Sequence, residues 1–116
     1  MKSKPTPETR GIVLGRDMLR CVRCGRGIEF CAFSIHHRRM RSHPFGGLHE
    51  ASNLITLCGS GTTGCHGWVH ANPELAYKHG WLVHAWEDPR QVPIDHYKWG
   101  KCYLWSDGTI GDEPEE

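Results

Sequence analysis

Histidines give the clearest chemical signal in this sequence, since nine of them occur among 116 residues. His66 and His70 are four apart, a spacing that places both imidazoles on one face of a helix, where they can bind one ion. His36 and His37 are adjacent, and at the end of a strand one can point toward a metal and the other toward a substrate. An ion held by three neutral imidazoles keeps open positions, which is typical of a catalytic divalent metal.

The cysteines predict a second, structural metal site. Cys21 and Cys24 form a CxxC pair followed by Gly25, the pattern of a zinc knuckle, in which a tight turn directs two thiolates toward one ion. Cys58 and Cys65 form a looser pair across a glycine- and threonine-rich stretch that can fold back. We therefore expect one structural Zn²⁺, because small domains often need a bound metal or a disulfide to be stable. The alternative is that all four are buried, metal-free thiols.

Two strands and a helix are predicted to position these ligands. Residues 29–39 alternate loosely and residues 53–57 form a short apolar run, so both are expected to be strands. The segment 42–50 is a loop with one proline and two glycines, and 59–64 is a turn. Residues 66–71 then form a short helix. The sequence thus predicts the α+β class.

The rest of the chain gives weaker signals. Residues 1–14 are expected to be a flexible lead, with a short helical turn only at 16–20, and residues 107–116 to be an acidic tail. The domain between them would span 15–106. It would include a helix that begins near Asn72 and ends at Gly80, a strand at 81–86, and a hairpin arm at 97–105 followed by a turn.

Tryptophans of the second half are expected to pack in the core or the hairpin rather than to stack on bases: Trp81, Trp86, Trp99 and Trp105.

Charge is distributed unevenly along the sequence. Residues 1–58 carry ten Lys/Arg and four Asp/Glu, whereas residues 59–116 carry four Lys/Arg and nine Asp/Glu. A basic half favours a polyanionic partner. Arg38, Arg39 and Arg41 follow the histidine pair, where they could grip neighbouring phosphates. No apolar run is long enough to span a membrane, so we expect a soluble, cytoplasmic protein.

The motifs in order resemble those of a known family. Ile35-His36-His37-Arg38, then Ser52-Asn53-Leu54-Ile55-Thr56-Leu57-Cys58, then Cys65-His66-Gly67-Trp68-Val69-His70 are similar to HNH endonucleases with the ββα-metal fold. The likeness covers residues 21 to about 71 and is greatest to small phage-encoded members that also carry zinc cysteines. The paired histidines and the HxxxH ending also resemble DNase colicins.

The resemblance implies a role for each matched residue. It makes His37 the general base that activates water, and His36, His66 and His70 the ligands of the catalytic metal. It makes Asn53 a brace for the loop that also orients the base. It assigns Cys21, Cys24, Cys58 and Cys65 to the structural zinc.

The function expected from these observations is metal-dependent hydrolysis of DNA, with a histidine base and one divalent ion such as Mg²⁺, Mn²⁺, Ni²⁺ or Zn²⁺. Duplex DNA with weak sequence preference is the expected partner. The phage resemblance further implies genome processing or packaging in a host cell, beside terminase proteins. The alternative is a non-catalytic zinc-ribbon protein that only binds nucleic acid. It would use the same cysteines but leaves the histidine pattern unexplained.

Overall fold

The computed structural model describes residues 4–116. Its helices are α1 (Pro7–Arg16), α2 (Gly64–Ala71) and α3 (Pro73–Lys78). Its strands are β1 (Phe33–His37), β2 (Leu54–Cys58), β3 (Ile94–His96), β4 (Gly100–Leu104) and β5 (Ile110–Gly111). Short 3-10 turns lie at Ala51–Asn53 and Pro89–Gln91. Within residues 4–116, no helix is long and apolar enough to cross a membrane.

The first sheet and α2 form a strand–strand–helix unit. β1 and β2 pair antiparallel, with His36 opposite Ile55 and His37 opposite Leu54. All five residues of β2 are buried, since α1 and α2 both pack against this strand. The unit confirms the α+β class. β1 is shorter than the predicted 29–39, because the residues before it form turns.

The amino-terminal segment corrects the prediction of an irregular lead over residues 1–14. Thr6 caps α1 by accepting a hydrogen bond from the backbone N–H of Thr9, and Pro7 occupies the first helical position. Val13 of this helix is fully buried against Ala51 and Leu54. Of the expected helical turn at 16–20, Arg16 is the last residue of α1, and residues 17–19 form a hydrogen-bonded turn in which Met18 and Leu19 have positive φ and so do not continue the helix. Residues 1–3 of the predicted lead lie outside the described residues.

A buried ionic cluster joins α1 to both sheets. Asp17 accepts hydrogen bonds from Arg16 Nε at 2.9 Å, from the Thr56 backbone N–H at 3.0 Å, and from His96 Nε2 at 3.1 Å. Burial by itself would raise the pKa of the Asp17 carboxyl. The hydrogen bonds from His96 and Arg16, with the charge of Arg16, outweigh burial and lower this pKa.

The second half of the chain forms the sheet β3-β4-β5. The predicted hairpin is confirmed, since β4 pairs with β5 and the Gly108 N–H donates to the Trp105 carbonyl in the turn between them. The predicted strand at 81–86 is wrong. The Trp81 and Leu82 N–H groups donate back to Ala76 at the end of α3, which bends this segment away from any sheet.

The acidic tail folds back onto the body of the protein. Glu115 accepts hydrogen bonds from the backbone N–H and hydroxyl of Ser106, and the Gln91 side chain donates to the Glu115 carbonyl. Trp105 Nε1 donates to the Glu113 carbonyl at 3.0 Å. These contacts place the tail against the second sheet.

Candidate metal centres

The four cysteines of the predicted zinc site come together, with all sulfur atoms within 4.8 Å of one another. Cys21 and Cys24 lie on a tight turn that needs a glycine next, since Gly25 has φ +77° and donates to the Cys21 carbonyl at 2.8 Å. Cys58 ends β2 and Cys65 lies in the first turn of α2. The turn at 59–64 therefore brings the Cys58/Cys65 pair next to the Cys21/Cys24 pair.

The geometry of this cluster fits a tetrahedral zinc site. Zn–S bonds of about 2.3 Å require sulfur–sulfur separations of about 3.8 Å, and Cys24 Sγ lies 3.9 Å from Cys58 Sγ. Burial raises the pKa of the Cys21 and Cys65 thiols. A bound cation would offset this cost by stabilising the thiolates. The four-cysteine cluster thus fits the zinc knuckle predicted from the sequence.

Arg23, inside the CxxC turn, contacts the thiol of the second pair. Its Nη1 donates to Cys65 Sγ at 3.3 Å, and its guanidinium lies 3.7 Å from the centroid of the Trp68 ring. This contact opposes the effect of burial on the pKa of Cys65, because a nearby cation favours the thiolate. Arg23 was not predicted as part of the cluster.

The second cluster contains three histidines whose ring nitrogens lie within 4.8 Å of one another. His66 and His70 are one turn apart on α2, with their Nε2 atoms 3.2 Å apart. His36, at the end of β1, faces both rings at centroid distances of 5.0 and 5.5 Å. Nitrogen ligands at about 2.0–2.1 Å from one ion would be about 3.3–3.4 Å apart. The three rings are therefore suited to hold one metal ion.

One ring nitrogen of His36 already makes a hydrogen bond within the fold. Nε2 lies 2.8 Å from the Trp81 carbonyl and must donate to it, so Nδ1 is left as the lone-pair nitrogen. Ligand histidines in proteins commonly donate their other N–H to a carbonyl in this way. Burial, followed by the neighbouring His66, lowers the pKa of His36 to about 3. The imidazole is therefore neutral and able to bind a cation at neutral pH.

His37 is not part of this cluster, although it borders the same cleft, and its ring contacts His49. Its Nε2 is 3.0 Å from His49 Nδ1, so one ring donates to the other. Burial, followed by the charges of His49 and Arg41, lowers the pKa of His37 to about 4. The ring is therefore unprotonated at neutral pH. Sequence reasoning gave His49 no role beside His37, because nothing in the spacing of 12 residues relates the two.

Asn53 braces the loop that follows β1. Its Oδ1 accepts from the Arg39 N–H at 2.7 Å, and its Nδ2 donates to the Arg39 carbonyl at 3.1 Å and the Leu48 carbonyl at 2.9 Å. A fully buried amide thus fixes both ends of the loop. The two hydrogen bonds to Arg39 therefore hold the backbone at a point two residues after His37.

A comparison with protein families finds a match for the part of the chain that contains both clusters. Residues 21–71 match the family model described as HNH endonuclease. This matched segment, 51 of the 116 residues, is called the HNH domain. The comparisons with curated proteins and with solved structures gave no match. Both clusters and the Asn53 brace lie within the matched segment.

The basic residues of the HNH domain differ from those predicted to grip phosphates. Arg38 is fully buried, and its guanidinium donates to the carbonyls of Gly80, Ser52, Pro89 and Val92 at 2.8–3.0 Å. The prediction that Arg38 contacts nucleic acid is therefore wrong, because its guanidinium is used inside the fold. Burial lowers its pKa only to about 9, so it remains charged at neutral pH.

The remaining two arginines lie on different clefts. A cleft of about 390 Å³ beside the histidines is bordered by Arg41 together with Lys4 and Arg10 from the amino-terminal segment. Arg39 borders another cleft, where it lies over the Phe45 ring at 4.1 Å. The cations next to the histidines of the HNH domain are thus Lys4, Arg10 and Arg41. Lys4 and Arg10 were missed because this segment was expected to be irregular.

Proposed function

We propose that this protein is a metal-dependent endonuclease that hydrolyses phosphodiester bonds in DNA. The observation that carries the proposal is the convergence of three histidines on one point beside the unprotonated His37, all bordering one basic cleft. The matched HNH domain supports it, since this family generally consists of nucleases. A purely structural site would have no need of an adjacent, unliganded histidine.

His36, His66 and His70 would hold the divalent ion. A divalent ion held there would supply positive charge to offset the negative charge that develops at the phosphate during hydrolysis. Mg²⁺, Mn²⁺, Ni²⁺ and Zn²⁺ are the candidates. The neutral imidazoles suit the last two best, because imidazole is a borderline ligand and Mg²⁺ prefers oxygen.

His37 would take the proton from the attacking water. It borders the cleft and is largely unprotonated above pH 5, since its pKa is lowered to about 4. Its contact with His49 fixes the orientation of the ring, and Asn53 fixes the chain after it. The base is therefore positioned before substrate arrives, which is where much of the rate enhancement of such sites arises.

Lys4, Arg10 and Arg41 would bind the phosphates on either side of the cleaved bond. Phosphate contacts do not distinguish one base from another, so they agree with the weak sequence preference expected for this protein. The four-cysteine site would hold Zn²⁺ and keep α2 at the end of β1. Cys65 and His66 are neighbours on α2, so the structural site fixes the start of the helix that carries two catalytic ligands.

Plasmid nicking tests the proposal. Supercoiled DNA is incubated with wild type, His37→Ala and His43→Ala in Mg²⁺, Mn²⁺, Ni²⁺ or Zn²⁺, and with EDTA. His43 is an exposed histidine in the loop after β1 and does not border the cleft, so it is the matched control. We expect His37→Ala to lose nicking by at least about 100-fold, with zinc content and melting temperature unchanged.

The ends of the product give a second readout. We expect 5′-phosphate and 3′-hydroxyl ends, so DNA ligase should reseal the nick without further treatment. DNA binding without nicking in every metal would contradict the proposal and favour the non-catalytic zinc-ribbon alternative. Equal nicking by wild type and His37→Ala would remove His37 from the reaction. Parallel reactions with single-stranded DNA and RNA would define the substrate class.

A further inference from the structure

A second cleft of about 340 Å³ lies next to the loop that follows β1, and the only predicted site residue that borders it is Arg39. Its walls include two aromatic rings, Phe45 and Trp86, and two arginines, Arg39 and Arg90. Carboxylates of Glu50, Glu87 and Asp88 complete the border. The nuclease proposal does not use any of these side chains.

Trp86 ends a column of three stacked rings. Tyr77 stacks on His84 with ring centroids 3.7 Å apart, and His84 stacks on Trp86 at 4.4 Å, with interplanar angles of 9° and 6°. Trp86 is nevertheless 81% exposed. Because His84 covers one face of the indole, the other face is open to solvent. A large aromatic ring that is stacked on one face and exposed on the other can serve as a stacking platform for a base.

The polar groups of the cleft suit the edge of a base rather than a phosphate. Arg39 offers donors, and its buried Nε has no hydrogen-bond partner among the residues described. Glu50 and Asp88 offer acceptors, although Asp88 is paired with Arg90 at 2.8 Å. Carboxylates repel phosphate but accept hydrogen bonds from the amino and imino groups of bases. Mixed donors and acceptors beside an open indole are therefore the chemistry of a nucleobase site.

We propose that this cleft binds one unpaired nucleobase of the strand that lies at His37, an inference that rests on the proposed nuclease function. Arg39 is two residues from His37, so their Cα atoms are at most about 7 Å apart. Asn53 holds the backbone of Arg39 at both its N–H and its carbonyl. The bound base is therefore within a few nucleotides of the reacting phosphate, since bases along a strand rise about 3.4 Å each.

A paired base inside a duplex has both faces covered by its neighbours, so it cannot stack on Trp86. The preferred substrate would then carry a single-stranded segment, an overhang or an extruded base. Trp99 provides a matched control. It is 50% exposed, but its ring neighbours are His96 and Lys98, and it does not border the cleft.

Fluorescence of 2-aminopurine, which falls on stacking, tests the site. The probe is placed in a single-stranded oligonucleotide, in a blunt duplex, and in the free nucleoside monophosphate. Binding is measured in a His37→Ala background, which prevents cleavage. We expect Trp86→Ala to weaken single-strand binding about 5- to 100-fold, the loss of one base stack. Trp86→Phe should keep part of the affinity, and Trp99→Ala should match the parent.

Duplex binding should change less than about twofold in Trp86→Ala, because paired bases make no use of the platform. Unchanged single-strand binding in Trp86→Ala, or an equal loss with the duplex, would overturn the inference. Monophosphate binding as tight as strand binding would indicate a free-nucleotide pocket and would also overturn it. Plasmid nicking separates the two proposals. Plasmid nicking by a protein whose single-strand binding is unaffected by Trp86→Ala refutes the cleft alone, whereas Trp86-dependent single-strand binding without nicking in any metal refutes the nuclease alone.

Discussion

Arg38 and Arg41 carry the same charge three residues apart, yet they have opposite surroundings. Arg38 is enclosed by four carbonyl acceptors, whereas Arg41 is exposed at the histidine cleft. We expect Arg38→Met to destabilise the fold by roughly 3–5 kcal/mol, because four buried carbonyls lose their donor. Arg41→Met should change stability by less than about 0.5 kcal/mol but reduce the slope of DNA affinity against salt by about 1.

Urea denaturation and salt titration of DNA binding separate these effects. A stable Arg38→Met variant with weakened DNA binding would contradict the structural role of Arg38. A run of arginines does not reveal which member is buried, since burial depends on carbonyls from distant segments, here residues 80, 89 and 92. The sequence therefore predicted a basic segment but not the side chain that contacts phosphate.

Arg23 gives a second prediction for a single side chain. Four thiolates around Zn²⁺ carry a net charge of about −2, and the Arg23 guanidinium donates to one of them while it lies against Trp68. We expect Arg23→Met, which keeps the apolar contact but removes the charge, to weaken zinc binding by about 10- to 100-fold. Transfer of zinc to a chromogenic chelator measures this change.

Arg26→Met is the matched control, because Arg26 is exposed in the same turn. Equal rates of zinc transfer for Arg23→Met and wild type would show that the guanidinium only packs against the ring. Faster zinc transfer in both variants would show that the overall positive charge of the knuckle, rather than the contact between Arg23 and Cys65, strengthens zinc binding.

At the scale of elements, the strand–strand–helix unit was predictable because its signals are local. The alternating segment 29–39, the apolar run 53–57 and the HxxxH spacing predict β1, β2 and α2 to within a few residues. α1 was missed, although Thr6 and Pro7 are residues typical of a helix start. The helix is stabilised mainly by tertiary contacts of Val13, Arg16 and Asp17. The hydrophobic pattern of its ten residues does not reveal these contacts.

Asp17 is the residue that ties α1 to the two sheets, so its loss should act on the whole arrangement. An Asn side chain at position 17 would place an amide N–H group opposite three groups that are themselves hydrogen-bond donors. These groups belong to Arg16, Thr56 and His96. We expect Asp17→Asn to lower the free energy of unfolding by roughly 3–5 kcal/mol at pH 7. Asp112→Asn, at an exposed carboxylate, should have little effect.

The pH dependence of this difference follows from the lowered pKa of Asp17. Since the carboxyl is more acidic in the folded state than in the unfolded chain, its contribution is present above the unfolded pKa of about 3.9. It is lost as pH falls through the folded value. Denaturation of both proteins between pH 7 and pH 3 should show a constant gap above about pH 5 that narrows below about pH 4. A gap that widens in acid would contradict this sign.

At the scale of the whole molecule, the two candidate metal centres both include residues of α2, and we propose different functions for them. Cys65 and His66 are neighbours, one facing the thiol cluster and the other the imidazole cluster. Zinc binding to four cysteines from separated segments contributes directly to folding energy, because the unfolded chain has no preformed site. The three-histidine cluster, in which His36 is buried and His70 is exposed, would serve the proposed reaction instead. Loss of one centre should therefore unfold the protein, whereas loss of the other should only inactivate it.

The comparison of Cys65→Ser with His66→Ala tests this division. We expect Cys65→Ser to retain little zinc and to lose its cooperative thermal transition. His66→Ala should keep one zinc per chain and a melting temperature within about 5 °C of wild type, yet lose nicking. Zinc content by elemental analysis and unfolding by circular dichroism measure both. A Cys65→Ser protein with normal zinc and melting temperature would show that the thiols only pack. A zinc-free His66→Ala protein would show that the two centres are one folding unit, since removing an imidazole ligand would then release the thiolate-bound ion.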